Sequence, residues 1–236
     1  MNASPDIGEV AGLIGEPSRI AMLVSLLGGK SLPASELARI ARITPQTASA
    51  HLSKLVDGGL LVSQSYGRHR YYRLANPEVA HALEALYTIA APKPIRSLRE
   101  SDQVRAMRYC RTCYDHLAGE VGVALTERLL ALQLIAEADQ EFVLTEAGKQ
   151  KLRALGVDVE ANPKSRRRFA RPCLDWSERR HHLAGALGAS LTNRLFELGW
   201  IERLPGGRAV RLTPAGKSGL TEHFGVTFPT PKETAT

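Results

Sequence analysis

Three cysteines stand near histidines and aspartates at the heads of two similar stretches of a 236-residue chain. Arg111-Thr112-Cys113-Tyr114-Asp115 and Arg171-Pro172-Cys173-Leu174-Asp175 share the pattern Arg-x-Cys-x-Asp. His-Leu-Ala-Gly follows at once in the first (His116–Gly119) and after six inserted residues in the second (His182–Gly185). Thiolates with imidazoles suit zinc or another thiophilic metal ion. Cys113, His116 and Cys173, with a fourth ligand from Cys110, Asp175, His181 or His182, would make a tetrahedral set. The same sulfurs offer redox chemistry, since Cys110-x-x-Cys113, or Cys113 with Cys173, can close a disulfide under oxidant. A bland alternative stands beside both: cysteine is a common small core residue, and aspartates complement helix starts. Residue types and spacing leave the three open.

Positioning these groups is the work of the surrounding elements. Cys110, Cys113 and His116 recur at intervals of three, which on a helix shares a face. Pro172 predicts a helix start with Cys173 in its first turn, where the helix dipole favours the thiolate. The similarity continues downstream. Leu125-Thr126 with Arg128-Leu129 returns as Leu191-Thr192 with Arg194-Leu195, and Leu144-Thr145-Glu146-Ala147-Gly148-Lys149 returns as Leu212-Thr213-Pro214-Ala215-Gly216-Lys217. Two copies, about 103–157 and 167–226, are therefore expected, each running helix, helix, short hairpin, helix in a winged-helix-like ending. Trp200–Leu204 and Ala209–Leu212 flank a glycine turn as a hairpin should. Two copies are too few for a solenoid, so they are expected to pack as a pseudo-symmetric pair with a cleft suited to a small effector.

The amino-terminal part carries a different pattern. From Pro33, Leu37, Ile40 and Ala41 recur at helical spacing; Arg42-Ile43 turns; Thr44 offers a cap and Pro45 sits at the first helical position. In the second helix Ala48, Leu52, Leu55 and Val56 form an apolar face. Gln46, Thr47, Ala50, Ser53 and Lys54 point outward, with Ser49 and His51 at the borders. Gly58-Gly59 stops it, and two β-prone runs around Tyr66-Gly67-Arg68-His69 make a hairpin with a basic tip of Arg68, His69 and Arg70. A helix-turn-helix followed by a basic hairpin is a winged helix, whose second helix can enter a DNA major groove.

Residues from about Ser18 to Leu74 resemble the ArsR/SmtB family of bacterial winged-helix repressors. The recognition-helix pattern stands here as Thr44-Pro45-Gln46-Thr47-Ala48-Ser49-Ala50-His51-Leu52-Ser53-Lys54-Leu55, with Pro45 and Ala50 departing from the family's glutamine and first histidine. The resemblance implies base-edge contacts from Gln46, Thr47 and Ser49, with Ser53 on the same face. It implies phosphate contacts from His51 and Lys54, and wing contacts from Arg68, His69 and Arg70. It also implies a homodimer on a palindromic operator, paired through the first and last helices of the domain; the stripe Leu83, Leu86, Ile89 is compatible with that role and equally with packing against its own domain. The family's usual metal sites are missing: the helix from Pro33 has no cysteine, and the helix after the wing has only His81.

Composition agrees. Thirty-one Lys+Arg against 24 Asp+Glu give +7, the sign expected of a phosphate-binding protein, and 44% hydrophobic residues suit a globular fold. Three cysteines are too few for a secreted disulfide framework, and neither a leader pattern nor an eighteen-residue apolar run is present, so a cytoplasmic protein with no membrane partner is expected. No phosphate-binding glycine loop, zinc-protease helix or nucleophile elbow suggests an enzyme. The fold expected is mainly α with small β-hairpins (α+β): a winged-helix DNA-binding and dimerisation domain over 1–92 and a C-terminal sensor domain of two winged-helix-like repeats over 93–236. The function expected is a dimeric, sequence-specific DNA-binding repressor whose C-terminal domain senses a metal ion, thiol-reactive species or small ligand. The competing reading is a thiol- or metal-binding adaptor that uses its winged helix for protein contact.

Overall fold

In a computed structural model of the chain, the residues described are 5–67, 69–91, 94, 97–160, 167–205 and 207–228. They form two compact units, Met1–Ala90 and Ala91–Thr236.

The first unit begins with α1 (Ile7–Ile14), capped by the Asp6 carboxylate, and α2 (Pro17–Ser25), capped by Glu16. β1 (Leu32–Pro33) leads into α3 (Ala34–Ala41), which Arg42 ends in the left-handed region at φ 55°. α4 (Pro45–Asp57) starts as expected, with Thr44 Oγ1 accepting from Thr47 N–H. β2 (Leu61–Tyr66) and β3 (His69–Leu74) pair antiparallel in the register Tyr66↔His69, and β1 adds to the far edge of β3, giving the order β1-β3-β2. α5 (Pro77–Ile89), capped by Asn76, closes the unit. Its core is aliphatic: Met22, Leu23, Leu26, Leu37, Leu52, Leu55, Leu61, Leu74 and Leu83 are all essentially inaccessible. Burying each such side chain contributes about 1.5–3 kcal/mol, so α4 is held by its apolar stripe while its polar face stays free.

The second unit begins with α6 (Leu98–Tyr109), then β4 (Arg111–Cys113), β5 (His116–Ala118), α7 (Gly119–Ala131), β6 (Ile135–Ala138), β7 (Glu141–Leu144) and α8 (Glu146–Ala154). Then come β8 (Arg171–Leu174), β9 (His181–Ala184), α9 (Gly185–Glu197), β10 (Ile201–Arg203), β11 (Val210–Leu212) and α10 (Pro214–Phe224). Each copy therefore runs hairpin, helix, hairpin, helix. This corrects the expected helix, helix, hairpin, helix. Cys113 and His116 lie on the strands of a hairpin and not on one helix face, and Cys173 lies in a strand and not in a helical first turn. The helix begins only after His-Leu-Ala, at Gly119 (φ 79°) and Gly185 (φ 89°), where the chain turns so tightly that a Cβ would lie 2.5–2.6 Å from a backbone carbonyl oxygen.

The copies are interlocked. β5 and β9 pack together, α7 against β9 and α9 against β5. Arg128 Nε of α7 donates to the Phe224 carbonyl at the end of α10, while Arg194 Nε of α9 donates to the Leu155 carbonyl just past α8. Thr145 and Thr213 cap α8 and α10 alike, each also donating to a carbonyl just before the preceding hairpin, at Gln133 and Gly199. One continuous apolar core, with Leu125, Leu129, Leu152, Leu187, Leu195 and Phe224 at its centre, runs through both copies. Where the end of the first copy meets α9, an open pocket of about 410 Å³ is lined by Gly156, Asp158, Arg167, Ser190 and Arg194, whereas between α7 and α9 the junction is packed. The cavity between Gly122, Thr126, Gly188 and Thr192 measures about 10 Å³, scarcely enough for one water.

Candidate nucleic-acid interface and buried cysteine-histidine centre

Two sites carry the residues that chemistry would need, an exposed face in the first unit and a buried cluster in the second. On α4, Gln46, Thr47, Ser49, Ala50, Ser53 and Lys54 are all exposed, while Ala48, Leu52 and Leu55 are buried. The outward row is free of acid up to Asp57, which accepts from Ser53 Oγ at 3.3 Å. His51 is turned toward its own unit: Arg19 Nη1 lies 3.4 Å from its Nδ1, and Glu16 Oε2 lies 3.8 Å from its Nε2. In the wing, His69 and Arg70 are exposed and Tyr66 packs edge-on against Tyr71 at 5.8 Å, stiffening the ribbon below its tip. Arg68 lies outside the described residues.

The second centre is wholly buried. Cys113, His116, Cys173 and His182 each offer one ligand atom, and these atoms all lie within 4.8 Å of one another. The register explains how. Cys113 is paired with His116 across β4–β5, and Cys173 with His182 across β8–β9. The six-residue insertion is absorbed in the loop of the second hairpin and leaves the cross-strand Cys–His pair intact. Packing β5 against β9 brings the two pairs together, so that Cys113 Sγ and Cys173 Sγ stand 3.9 Å apart and the imidazole centroids 5.1 Å apart.

Each histidine has a carboxylate behind it. Asp115 Oδ1 lies 3.3 Å from His116 Nδ1, and Asp175 Oδ2 lies 3.2 Å from His182 Nδ1. Both carboxylates are themselves held. Arg167 forks onto Asp115 at 2.6 and 2.9 Å, and Arg111, inaccessible and stacked 4.4 Å over Trp176, donates to Asp175 at 2.8 Å. Asp175 also accepts from the N–H groups of Gly119, Ser177 and Glu178. Burial alone would raise its carboxyl, but His182, Arg111 and the Gly119 N–H outweigh it and keep Asp175 ionised far below the usual range.

The two sulfurs share one hydrogen bond, and their thiols are driven in opposite directions. The Cys113 thiol is held well above the ordinary thiol range, by that hydrogen bond first and by burial second. Cys173 is correspondingly favoured as the thiolate, by the Cys113 hydrogen bond and, against burial, by His116 and His182.

Of the six sulfur, imidazole and carboxylate residues singled out in the sequence, four meet here and Asp175 stands directly behind one of them. Cys110 is elsewhere, buried in the apolar core, where desolvation pushes its thiol up. His181 is exposed. Sequence reasoning missed Asp115, Arg111 and Arg167 as supports. The repeated Arg-x-Cys-x-Asp was the available signal, but the two arginines are not used alike: Arg111 reaches the other copy's aspartate, whereas Arg171 Nη1 donates to the carbonyl of its neighbour Pro172.

Known proteins are similar to this chain at two scales. A helix-turn-helix domain family matches residues 14–64, which span α2 through most of β2. The HTH-type transcriptional regulator YdfF of Bacillus subtilis (strain 168) is 44% identical over 223 residues, covering 94% of this chain and 99% of that protein. Among solved structures, the transcriptional repressor BigR of Xylella fastidiosa is 23% identical over 37% of this chain and 89% of its own (TM-score 0.35). The cadmium metal-sensor CMTR of Mycobacterium tuberculosis is 29% identical over 39% of this chain and 100% of its own (TM-score 0.31). Among the described residues no helix is long and apolar enough to cross a membrane. With a near full-length relative at this identity, and with a winged helix whose polar face is exposed, the chain belongs to the HTH-type transcriptional regulators, DNA-binding proteins, here with an extra C-terminal domain.

Proposed function

We propose that the protein is a homodimeric repressor that reads a palindromic operator with α4 and grips the flanking backbone with the β2–β3 wing. The observation that carries this reading is the exposed row on α4. Gln46, Thr47, Ser49, Ser53 and Lys54 share an outward face, with no carboxylate before Asp57, on a helix anchored from behind by Ala48, Leu52 and Leu55. Gln46, Thr47 and Ser49 are suited to base edges, and Lys54, His69 and Arg70 to phosphates. His51, engaged by Arg19 and Glu16, orients α4. Exposed Ile7 and Val10 on α1, and Leu86 and Ile89 on α5, supply apolar surface for pairing two copies through the outer helices.

Regulation is assigned to the C-terminal unit, acting through a difference in its state that changes operator affinity. The convergence of Cys113, His116, Cys173 and His182 from both repeats supports the cysteine-histidine cluster as the sensing chemistry.

An electrophoretic shift with DNA from upstream of the protein's own gene, against non-specific competitor, tests the reading. A dimeric complex that survives competitor and that Gln46→Ala and Thr47→Ala weaken is the expected result. Binding without sequence preference would leave the adaptor reading in its place.

A further inference from the structure

We infer that Cys113, His116, Cys173 and His182 form a closed tetrahedral site for one thiophilic divalent cation of the zinc type, and that the ion clamps the two repeats together. This deepens the sensing half of the proposed function and rests on it only for the consequence at DNA, since the site itself is argued from geometry.

Four observations support the site. Two sulfurs bound at about 2.3 Å to a tetrahedral ion lie about 3.8 Å apart, close to the 3.9 Å between Cys113 Sγ and Cys173 Sγ. A disulfide would need them at about 2.0 Å. Second, no protein hydrogen bond of acceptable geometry reaches Nε2 of either His116 or His182, although both atoms are buried. An unsatisfied buried imidazole nitrogen is costly, and a metal satisfies it. Third, a carboxylate stands behind the Nδ1 of each histidine, at 3.3 and 3.2 Å; the Asp115 contact is a hydrogen bond that, donated from His116 Nδ1, leaves its Nε2 free to ligate, and the Asp175 contact places negative charge behind His182.

The fourth observation is charge. Asp115 is neutralised by Arg167 and Asp175 by Arg111. A divalent ion with two thiolates and two neutral imidazoles then leaves the buried centre without net charge, so filling the site places no uncompensated charge in a low-dielectric interior.

The donor set selects the ion. Sulfur and imidazole nitrogen exclude calcium and magnesium, which take oxygen. All four ligands are buried, so no side is left for a reacting water, and the site holds structure or signals occupancy instead of hydrolysing anything. Because each repeat contributes one cysteine and one histidine, filling the site joins β4–β5 to β8–β9. Release of the ion leaves that junction to apolar packing, the Arg111–Asp175 pair and the Gly119 N–H bond to Asp175. On binding, the protons held by the four ligands pass to solvent as two thiolates and two neutral imidazoles form.

The test uses the full chain, purified anaerobically and stripped of metal, then titrated with cobalt(II) as a visible stand-in for zinc. The expected result is one ion per chain, with sulfur-to-cobalt charge-transfer absorption and the intense visible bands of a tetrahedral centre, displaced stoichiometrically by zinc. Cys113→Ser and His182→Gln should each lose the tetrahedral spectrum. Cys110→Ser, altering a cysteine outside the cluster, should keep it.

Circular dichroism of the apo variants checks that each is folded. Should a ligand variant fail to fold, the wild-type spectrum and stoichiometry decide alone. Absence of a tetrahedral spectrum in folded wild-type protein, or a spectrum that depends on Cys110, overturns the site. If mild oxidant instead joins Cys113 to Cys173 reversibly while no metal binds, the centre is a redox pair and the proposal is wrong. Operator binding with and without zinc is measured separately: an unchanged affinity in protein that does bind one ion keeps the site and removes the sensing role.

Discussion

Arg111 Nη2 lies 2.8 Å from Asp175 Oδ1, both side chains are completely inaccessible, and each belongs to a different repeat. A buried charge that loses its partner cannot rehydrate, so removing one member costs far more than the pair itself contributes. Asp175→Ala is expected to destabilise the protein by about 3–5 kcal/mol, read as a lowered urea midpoint. The double variant Arg111→Met/Asp175→Leu should recover a large part of that loss. If the double variant were as unstable as the sum of the singles, the two charges would not be acting as a pair.

Gly188 allows α9 to lie against its neighbours. A Cβ there would sit 2.4 Å from the Leu183 carbonyl oxygen and 3.3 Å from His116 Cβ; at the matching Gly122 the distance to the Leu117 carbonyl oxygen would be 2.6 Å. Gly188→Ala is therefore expected to cost about 1–3 kcal/mol, whereas Gly12→Ala on α1, with nothing within 4 Å, should be neutral or stabilising by up to about 1 kcal/mol. Thermal unfolding of the two variants side by side makes the comparison, and equal behaviour would remove the close approach as the cause.

Lys54 and Gln46 sit on the same exposed face but are expected to behave differently. Lys54→Ala should weaken binding on every DNA sequence and reduce the slope of log affinity against log salt by about 0.9. Gln46→Ala should leave that slope unchanged and relax preference at one position, costing about 1–3 kcal/mol of discrimination. Salt titrations on the preferred sequence and on a mismatched one separate the roles. A slope change in Gln46→Ala would reassign it to the backbone.

Glu16 links α2 to the recognition helix. Its carboxylate accepts from Ser18 N–H at 3.0 Å and Arg19 N–H at 2.7 Å. Burial works against its charge, but those two N–H groups, with a smaller contribution from His51, outweigh it and hold the carboxyl below its ordinary 4.5. A folded value below the unfolded one means that the cap's contribution is complete above the unfolded value and is lost as pH falls through the folded one. Glu16→Gln should thus cost about 0.5–2 kcal/mol at neutral pH, and the gap from wild type, followed by urea unfolding, should close on acidification. A gap independent of pH would show that charge plays no part.

Residue patterns disclosed the first unit more fully than the second, and the reason is physical. α4 declares itself locally through Thr44, Pro45 and a 3.6-residue apolar stripe; the wing does so through Gly67 between two alternating runs. His-Leu-Ala-Gly and Leu-Thr disclosed the duplication. The hairpins that hold the cysteine-histidine pairs did not declare themselves. β4 and β5 are three residues each, too short to show alternation. Their turn carries Tyr114 at φ 60° where glycine would have signalled it. In the second copy the loop is shaped by the Asp175 carboxylate accepting from Ser177 and Glu178 N–H, a local bond that mimics a helix start in sequence. The spacing Cys-x-x-His fits either a helix face or a tight hairpin, and only long-range packing of β5 on β9 decides between them. Burial of Arg111 was invisible for the same reason, because its partner lies in the other copy.

The exchanged arginine clasps, Arg128 on Phe224 and Arg194 on Leu155, give the duplication a consequence for its own history. Once the end of each half is tied to a helix of the other, neither can be deleted, transplanted or allowed to drift alone without stranding a carbonyl and an apolar flank in its twin. The two copies share one packed body, in which a change to one is met by the other.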